Sequence, residues 1–208
     1  MLVDLHIHTT RFSECSTLDP VDMMKAAKDA GLDGICLTEH QKTWPLDDLA
    51  GLSKEYGIHV WGGVEVTTTE GDLLAFGLTD SVPGIVTPQE LRAMVDKADG
   101  ALVAAHPFRG FLLFGFQTLS LNLEEAGTRN IFKYVDAVEA CNCKVTDQEN
   151  DFARQVGEHL HLPLVGGSDA HSRDEVGICA TELPDDTKTV EDIVRAIKSG
   201  NVKCRRLK

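Results

Sequence analysis

Leu2-Val3-Asp4-Leu5-His6-Ile7-His8 decides the fold, because an apolar run here ends in two imidazoles spaced two residues apart. Residues i and i+2 of an extended chain point to the same side, so His6 and His8 project together and can chelate one ion. The pattern recurs along the chain. Gly34 to Leu37 leads straight into Thr38-Glu39-His40, and His59 to Val64 leads into Glu65. Ala101 to Ala105 delivers His106-Pro107, and Leu164 to Gly166 delivers Gly167-Ser168-Asp169-Ala170-His171. A single histidine is more often a hydrogen-bonded core residue than a ligand, but five strand ends that each deliver a ligand type argue for one assembled site.

With Ala137 to Ala140 and Val202 to Arg205, the candidate strands number seven. Helical patterns separate them. Asp19 and Pro20 can cap and open a helix that buries Met23, Ala26, Ala27 and Ala30 and stops at Gly31. Thr87-Pro88-Gln89-Glu90 reads as a capping box before the stripe Leu91, Met94, Val95 and Ala98. A last helix carries Val190, Ile193, Val194 and Ile197 up to Gly200. Such alternation predicts one α/β domain over residues 1–208, its sheet closed into a barrel with all C-terminal strand ends on one face. Two stretches break the rhythm: Val66 to Leu78 reads as a hairpin-like excursion, and Phe108 to Asn130 is long for a loop. The apolar residues Phe108, Phe111, Leu112, Leu113, Phe114 and Phe116 suit either a lid or pocket wall, or a short helix packed under the barrel.

The opening residues carry neither a basic region nor a long apolar run, so no signal peptide or membrane span is expected and the compartment is expected to be the cytoplasm. Six cysteines occur without a CxxC pair, which suits reduced, mostly buried thiols. A formal charge of −13 disfavours nucleic acid as a partner, because binding a polyanion depends on Lys and Arg releasing counterions. A small substrate fits better. Nothing in the sequence speaks to oligomeric state.

Imidazole and carboxylate ligands without paired thiolates suit Zn, Mn or Fe(II), and they are too numerous for one tetrahedral ion. Two or three divalent ions are implied, with Glu65 the natural bridge. In order along the chain stand His6-Ile7-His8-Thr9, Thr38-Glu39-His40, Gly63-Val64-Glu65-Val66, Ala105-His106-Pro107 and Gly167-Ser168-Asp169-Ala170-His171. Over nearly the whole chain this series resembles the polymerase and histidinol phosphatase (PHP) family of metal-dependent phosphoesterases. The resemblance implies a distorted (βα)7 TIM-like barrel with its metal site at the C-terminal ends of the strands.

By the same resemblance, His6, His8, Glu65 and Asp169 match ligands of a first metal, Glu65 and His106 those of a second, and His40 and His171 those of a third. Two positions depart from the family pattern. Glu14 stands where a His or Asp ligand of the third metal is usual, and Asp72 stands where relatives often carry His. Each is either a ligand or an exposed loop acid, and loss of either leaves two metals rather than three. With two ions about 3.5–4 Å apart, a bridging hydroxide is the expected nucleophile at phosphorus. Asp169 and Glu65 are its expected partners, with His40 or His171 assisting the leaving oxygen. Arg109 and, more weakly, Arg11 and Arg129 are candidate phosphate clamps. Glu139 and Asn142 resemble a family position that contacts substrate or supports the ligands. The expected activity is a phosphomonoesterase on a small phosphorylated metabolite or nucleotide. A nuclease or phosphodiesterase would need a basic track, and a noncatalytic metal-binding domain would hold metal without turnover.

Overall fold

The computed structural model describes residues 1–111 and 122–208. Along the chain lie β1 (Leu2–Ile7), α1 (Pro20–Asp29), β2 (Gly34–Leu37), α2 (Leu46–Tyr56), β3 (His59–Thr68), β4 (Gly71–Phe76), α3 (Pro88–Lys97), β5 (Ala101–Ala104) and α4 (Leu123–Gly127). There follow β6 (Ala137–Cys141), α5 (Asp147–His159), β7 (Leu164–Gly166), β8 (Cys179–Glu182), α6 (Val190–Ser199) and β9 (Lys203–Arg206). The strands form one curved sheet in the order β7-β6-β5-β4-β3-β2-β1-β8-β9. All seven expected strands are present, and two more join them.

The first addition resolves the hairpin-like stretch. β3 runs on to Thr68, turns, and returns as β4 in antiparallel register from Thr68 opposite Gly71 to Gly63 opposite Phe76. β4 also pairs antiparallel with β5, while β1-β2-β3 and β5-β6-β7 are parallel. An antiparallel strand begins on the rim where its parallel neighbours end, so β4 brings Asp72 to the ligand face from its first residues. The second addition, β8, pairs antiparallel with both β1 and β9. Its sequence Cys179-Ala180-Thr181-Glu182 carries only two apolar residues, too short a run to announce a strand.

Side-chain hydroxyls complete the barrel between β7 and β8. Thr181 Oγ1 accepts the Gly166 N–H and donates to the Gly166 carbonyl, both at 2.8 Å. Ser168 Oγ treats Cys179 in the same way, accepting its N–H and donating to its carbonyl at 3.0 Å each. One buried hydroxyl thus stands in for a ladder partner at each point, pairing both backbone groups of Gly166 and of Cys179. Beside them a disulfide joins Cys141 to Cys179, with Cα atoms 5.7 Å apart. The expectation of six reduced thiols is therefore wrong at this pair, because barrel closure sets the end of β6 against the start of β8; Cys15, Cys36, Cys143 and Cys204 are free.

Helices cover the sheet through the faces their sequences predict. Asp19 caps α1, whose Met23 and Ala27 pack on Ile7, Ile35 and Leu37. Thr189 caps α6, whose Ile193, Val194 and Ile197 pack on Val3, Leu5 and Phe76. Thr87 and Glu90 form the capping box of α3, but only Leu91 and Val95 of its stripe are buried, and Met94 and Ala98 face solvent. On the other flank of α3 Arg92 pairs with Asp136 at 2.7 Å. In the long stretch after β5, Phe108 is buried edge-on against Phe152, and Asn122 caps the short α4. Leu112, Leu113, Phe114 and Phe116 lie outside the described residues, and so does the choice between a lid or pocket wall and a short helix packed under the barrel. No described helix is long and apolar enough to cross a membrane.

Candidate metal centre

Backbone bridges beyond the regular strands carry the ligand-bearing ends side by side. His40 pairs with Glu65 through Glu65 N–H to the Glu39 carbonyl at 3.0 Å and Gln41 N–H to the Glu65 carbonyl at 2.8 Å. The end of β1 pairs with Ala170 through His8 N–H to the Ala170 carbonyl at 3.0 Å. Past these bridges the chain must turn sharply while keeping side chains inward. His106 and Asp169 accordingly take left-handed backbone angles, φ 27° and 55°, that non-glycine residues rarely adopt.

Glu65 lies at the centre. Its Oε1 is 3.0 Å from His106 Nε2 and 3.4 Å from His6 Nε2. Its Oε2 is 2.8 Å from His40 Nδ1 and 3.3 Å from His8 Nε2. The two oxygens therefore face different histidine pairs, as a bridge between two ions requires. Asp169 Oδ1 adds a second carboxylate, 3.3 Å from His8 Nε2 and 3.6 Å from His6 Nε2. The donor atoms fall into overlapping sets able to hold an ion: His6, His8 and Asp169; Glu65, Asp72 and His106; His8, His40 and His171. A fourth grouping of His6 and His106 with Glu139 is less apt, because Glu139 already accepts from His6 Nδ1 at 2.9 Å and from the His106 backbone N–H at 2.9 Å.

The residues fit divalent cations on their own geometry. Glu65 Oε2 is buried without a hydrogen-bond donor in proper alignment, and His6 Nε2 faces His8 Nε2 at 3.0 Å. Converging lone pairs that no proton can satisfy together are what a cation resolves. The second ring nitrogens are held from outside: His6 Nδ1 by Glu139, His171 Nδ1 by the Asp169 carbonyl at 2.8 Å, and His8 Nδ1 by Ser13 Oγ at 3.2 Å. Each contact reserves the inner nitrogen for metal.

The predicted ligands His6, His8, His40, Glu65, Asp72, His106, Asp169 and His171 are all brought together. Glu14 is not. Its side chain is exposed and belongs to no ligand set among the described residues, because the turn closed by Ser13 N–H on the Thr9 carbonyl points Ser13 inward instead. Arg11 is also displaced from its expected role: its guanidinium pairs with Asp48 and lies 4.4 Å from the Trp44 ring. Glu139 and Asn142, expected either to contact substrate or to support the ligands, are buried on the supporting side. Asn142 Nδ2 donates to Glu139 Oε2 at 2.9 Å, and its Oδ1 accepts the Lys144 N–H. Arg129 donates to the carbonyls of Pro107 and Glu70, tying the His106 loop to the β3–β4 turn. Arg109 is half exposed, with Nη1 3.2 Å from Asp169 Oδ2.

Sequence reasoning missed Asp4, Ser13 and Glu39. The alternation that paired His6 with His8 also put Asp4 on their side of β1, and it put Glu39 opposite His40. Gly167 has a steric reason: a Cβ there would lie 2.4 Å from His6 Cβ and 2.8 Å from His6 N. Gly167→Ala is therefore expected to displace His6 and weaken metal binding at least about tenfold, the loss typical of disturbed ligand support. Calorimetric titration with Zn or Mn checks this, and wild-type affinity in the variant would contradict it.

Burial works to lower the basicity of His6, but the carboxylates of Glu139, Asp169 and Glu65 outweigh it and hold the imidazole well above its ordinary 6.5. His8 and His106 are raised for the same kind of reason, while Glu65 is held well below the usual carboxylate range by His6, His106 and His40 despite burial. Histidines whose folded values exceed their unfolded ones stabilise the metal-stripped protein fully below about pH 6.5, and that contribution is lost as pH rises through the folded values. Metal then replaces the protons. Scanning calorimetry should show the stripped protein's Tm falling above neutrality and the gain on adding Zn or Mn growing with pH. A metal-induced gain independent of pH would contradict this.

The geometry agrees with comparison to known proteins. The PHP domain family model matches residues 4–171, and a PHP-associated model matches residues 147–202. An uncharacterised protein of Methanocaldococcus jannaschii is 30% identical over 183 residues, which cover 85% of this chain and 68% of that one. A two-domain protein from Bacteroides vulgatus containing a predicted PHP-like metal-dependent phosphoesterase superposes with a TM-score of 0.75 at 20% identity, covering 99% of this chain and 64% of that one. A lesion-specific endonuclease from Pyrococcus furiosus superposes at 0.62 with 21% identity, covering 98% and 58%. Such identities show a common barrel and leave the substrate open. The family model spans every side chain gathered around Glu65, and the chain belongs to the PHP domain family.

Proposed function

We propose that the protein is a metal-dependent phosphomonoesterase acting on a small phosphorylated metabolite or nucleotide. The observation that carries this reading is the pairing of the Glu65-centred ligand cluster with Arg109, whose guanidinium stands half exposed against Asp169. His6, His8, His40, Glu65, Asp72, His106, Asp169 and His171 would hold the ions. When bound, divalent metals supply Lewis acidity toward water and the nonbridging phosphate oxygens. The chain's own groups do the rest. Arg109 presents a forked donor to phosphate, and Asp169 orients the attacking water and accepts its proton. His40, with a side chain 42% exposed, and His171, at 17%, border the cluster where a leaving oxygen would depart.

Charge favours a small substrate over a polynucleotide. Near the cluster Arg11 is paired with Asp48, Lys144 with Glu175, and Arg129 with two backbone carbonyls, which leaves few cations free for a polyanion. A screen of phosphorylated metabolites with Mn, Zn and Fe(II), run beside phosphodiester and single-stranded DNA arms, tests the reading. Preferential turnover of diesters would overturn it, and bound metal with no turnover would leave a binding domain. Arg109→Ala is expected to raise KM about 10- to 100-fold, the loss of one charge-assisted pair to phosphate. An unchanged KM would remove Arg109 from substrate binding.

A further inference from the structure

Glu39 is fully buried, and no cation neutralises it among its hydrogen-bond partners. Its Oε2 accepts the Thr9 N–H at 3.0 Å and the Ser13 hydroxyl at 2.5 Å; its Oε1 accepts the Thr9 hydroxyl at 2.5 Å and the Trp44 indole N–H at 2.9 Å. Four donors occupy the carboxylate, so it is not a ligand. Among the described residues its carboxylate reaches the metal centre through Ser13.

A serine hydroxyl has one proton and two lone pairs. The proton of Ser13 goes to Glu39, which as a carboxylate only accepts. One lone pair takes the His40 backbone N–H at 3.3 Å, a group that can only donate. The remaining lone pair faces His8 Nδ1 at 3.2 Å. His8 must therefore carry a proton on Nδ1, which leaves Nε2 to aim a lone pair between Glu65 Oε2 and Asp169 Oδ1, each 3.3 Å away.

We propose that Glu39, acting through Ser13, is a positioning residue that fixes the His8 tautomer and so readies Nε2 for metal. This rests on the metal-centre reading above. Ser13 thereby supports a ligand from beside the position where the family pattern has a ligand and this chain has the exposed Glu14.

The test compares wild type, Ser13→Ala and Glu39→Gln. Zn and Mn affinities are measured by calorimetric titration, and the His8 tautomer is read by long-range ¹H–¹⁵N correlation in metal-free protein at a pH above the ring's titration. Both variants should lose about 10- to 100-fold in affinity and show a mixed His8 tautomer, as for other supports of ligating histidines. Wild-type affinity in folded variants overturns the proposal. So does an affinity loss with Nδ1–H intact, since the cause would then be a displaced backbone. In Glu39→Gln the amide sets its NH₂ against an N–H whichever way it turns, so if that variant fails to fold, Ser13→Ala decides. A wild type that binds no metal overturns the metal-centre reading instead, and is thereby distinguished.

Discussion

Replacement of Glu65 by Gln is expected to abolish binding of at least one metal equivalent and to lower kcat/KM by about 1,000-fold or more, which corresponds to roughly 4 kcal/mol of lost transition-state stabilisation. Among the described residues, only this side chain faces all four of His6, His8, His40 and His106 within 3.4 Å. An amide keeps the shape and removes the charge. Its NH₂ group would point a donor at one histidine pair, so two ions could not share the side chain. Metal analysis of the purified variant, with steady-state kinetics on the best substrate of the screen, measures the effect. Full metal content with wild-type turnover would mean that Glu65 does not bridge.

The second large effect is on stability. Asp4→Ala should destabilise the fold by about 3–5 kcal/mol, the cost of leaving three buried backbone donors without an acceptor. Asp4 is fully buried and gathers three backbone donors from three parts of the chain: the His6 N–H at 3.2 Å, the Ser168 N–H at 2.8 Å and the Gly177 N–H at 3.0 Å. It thus ties β1 to the loop that carries Asp169 and to the turn before β8. Truncation leaves all three donors without a partner inside the barrel. For a chain of this length each kcal/mol moves Tm by roughly 2–4 °C. Asp4→Asn, which keeps an acceptor, should fall in between. Thermal unfolding of the metal-stripped proteins isolates the effect from ligand binding, and a shift of under about 2 °C in Asp4→Ala would contradict this role.

Much of the site was legible because a strand alternates strictly. Once an apolar run is recognised, its last residues have only two directions to point, and His6, His8, His40, Glu65, His106 and Asp169 each follow such a run. Asp72 was harder to place. It follows no apolar run and reaches the rim only because β4 returns antiparallel, a matter of pairing rather than of local pattern. Glu14 shows where alternation stops helping. Beyond the strand the backbone turns through hydrogen bonds between Thr9, Ser13 and Ser16, and sequence spacing does not say which side chain that turn points inward.

Glu139 and Asn142 make the same point about role rather than position. The resemblance left them either substrate contacts or supports of the ligands, and burial with hydrogen bonds to His6 and His106 favours support. The sequence by itself determined that His6, His8, His40, Glu65, His106 and Asp169 meet, because strand periodicity and the ends of five apolar runs are local properties. The tertiary structure alone decided how the barrel closes through Thr181, Ser168 and the Cys141–Cys179 bond, and which polar groups hold the ligands rather than join them. Those outcomes depend on strand register and on turn geometry between distant segments, where a shift of one residue exchanges the inward side chain for its neighbour.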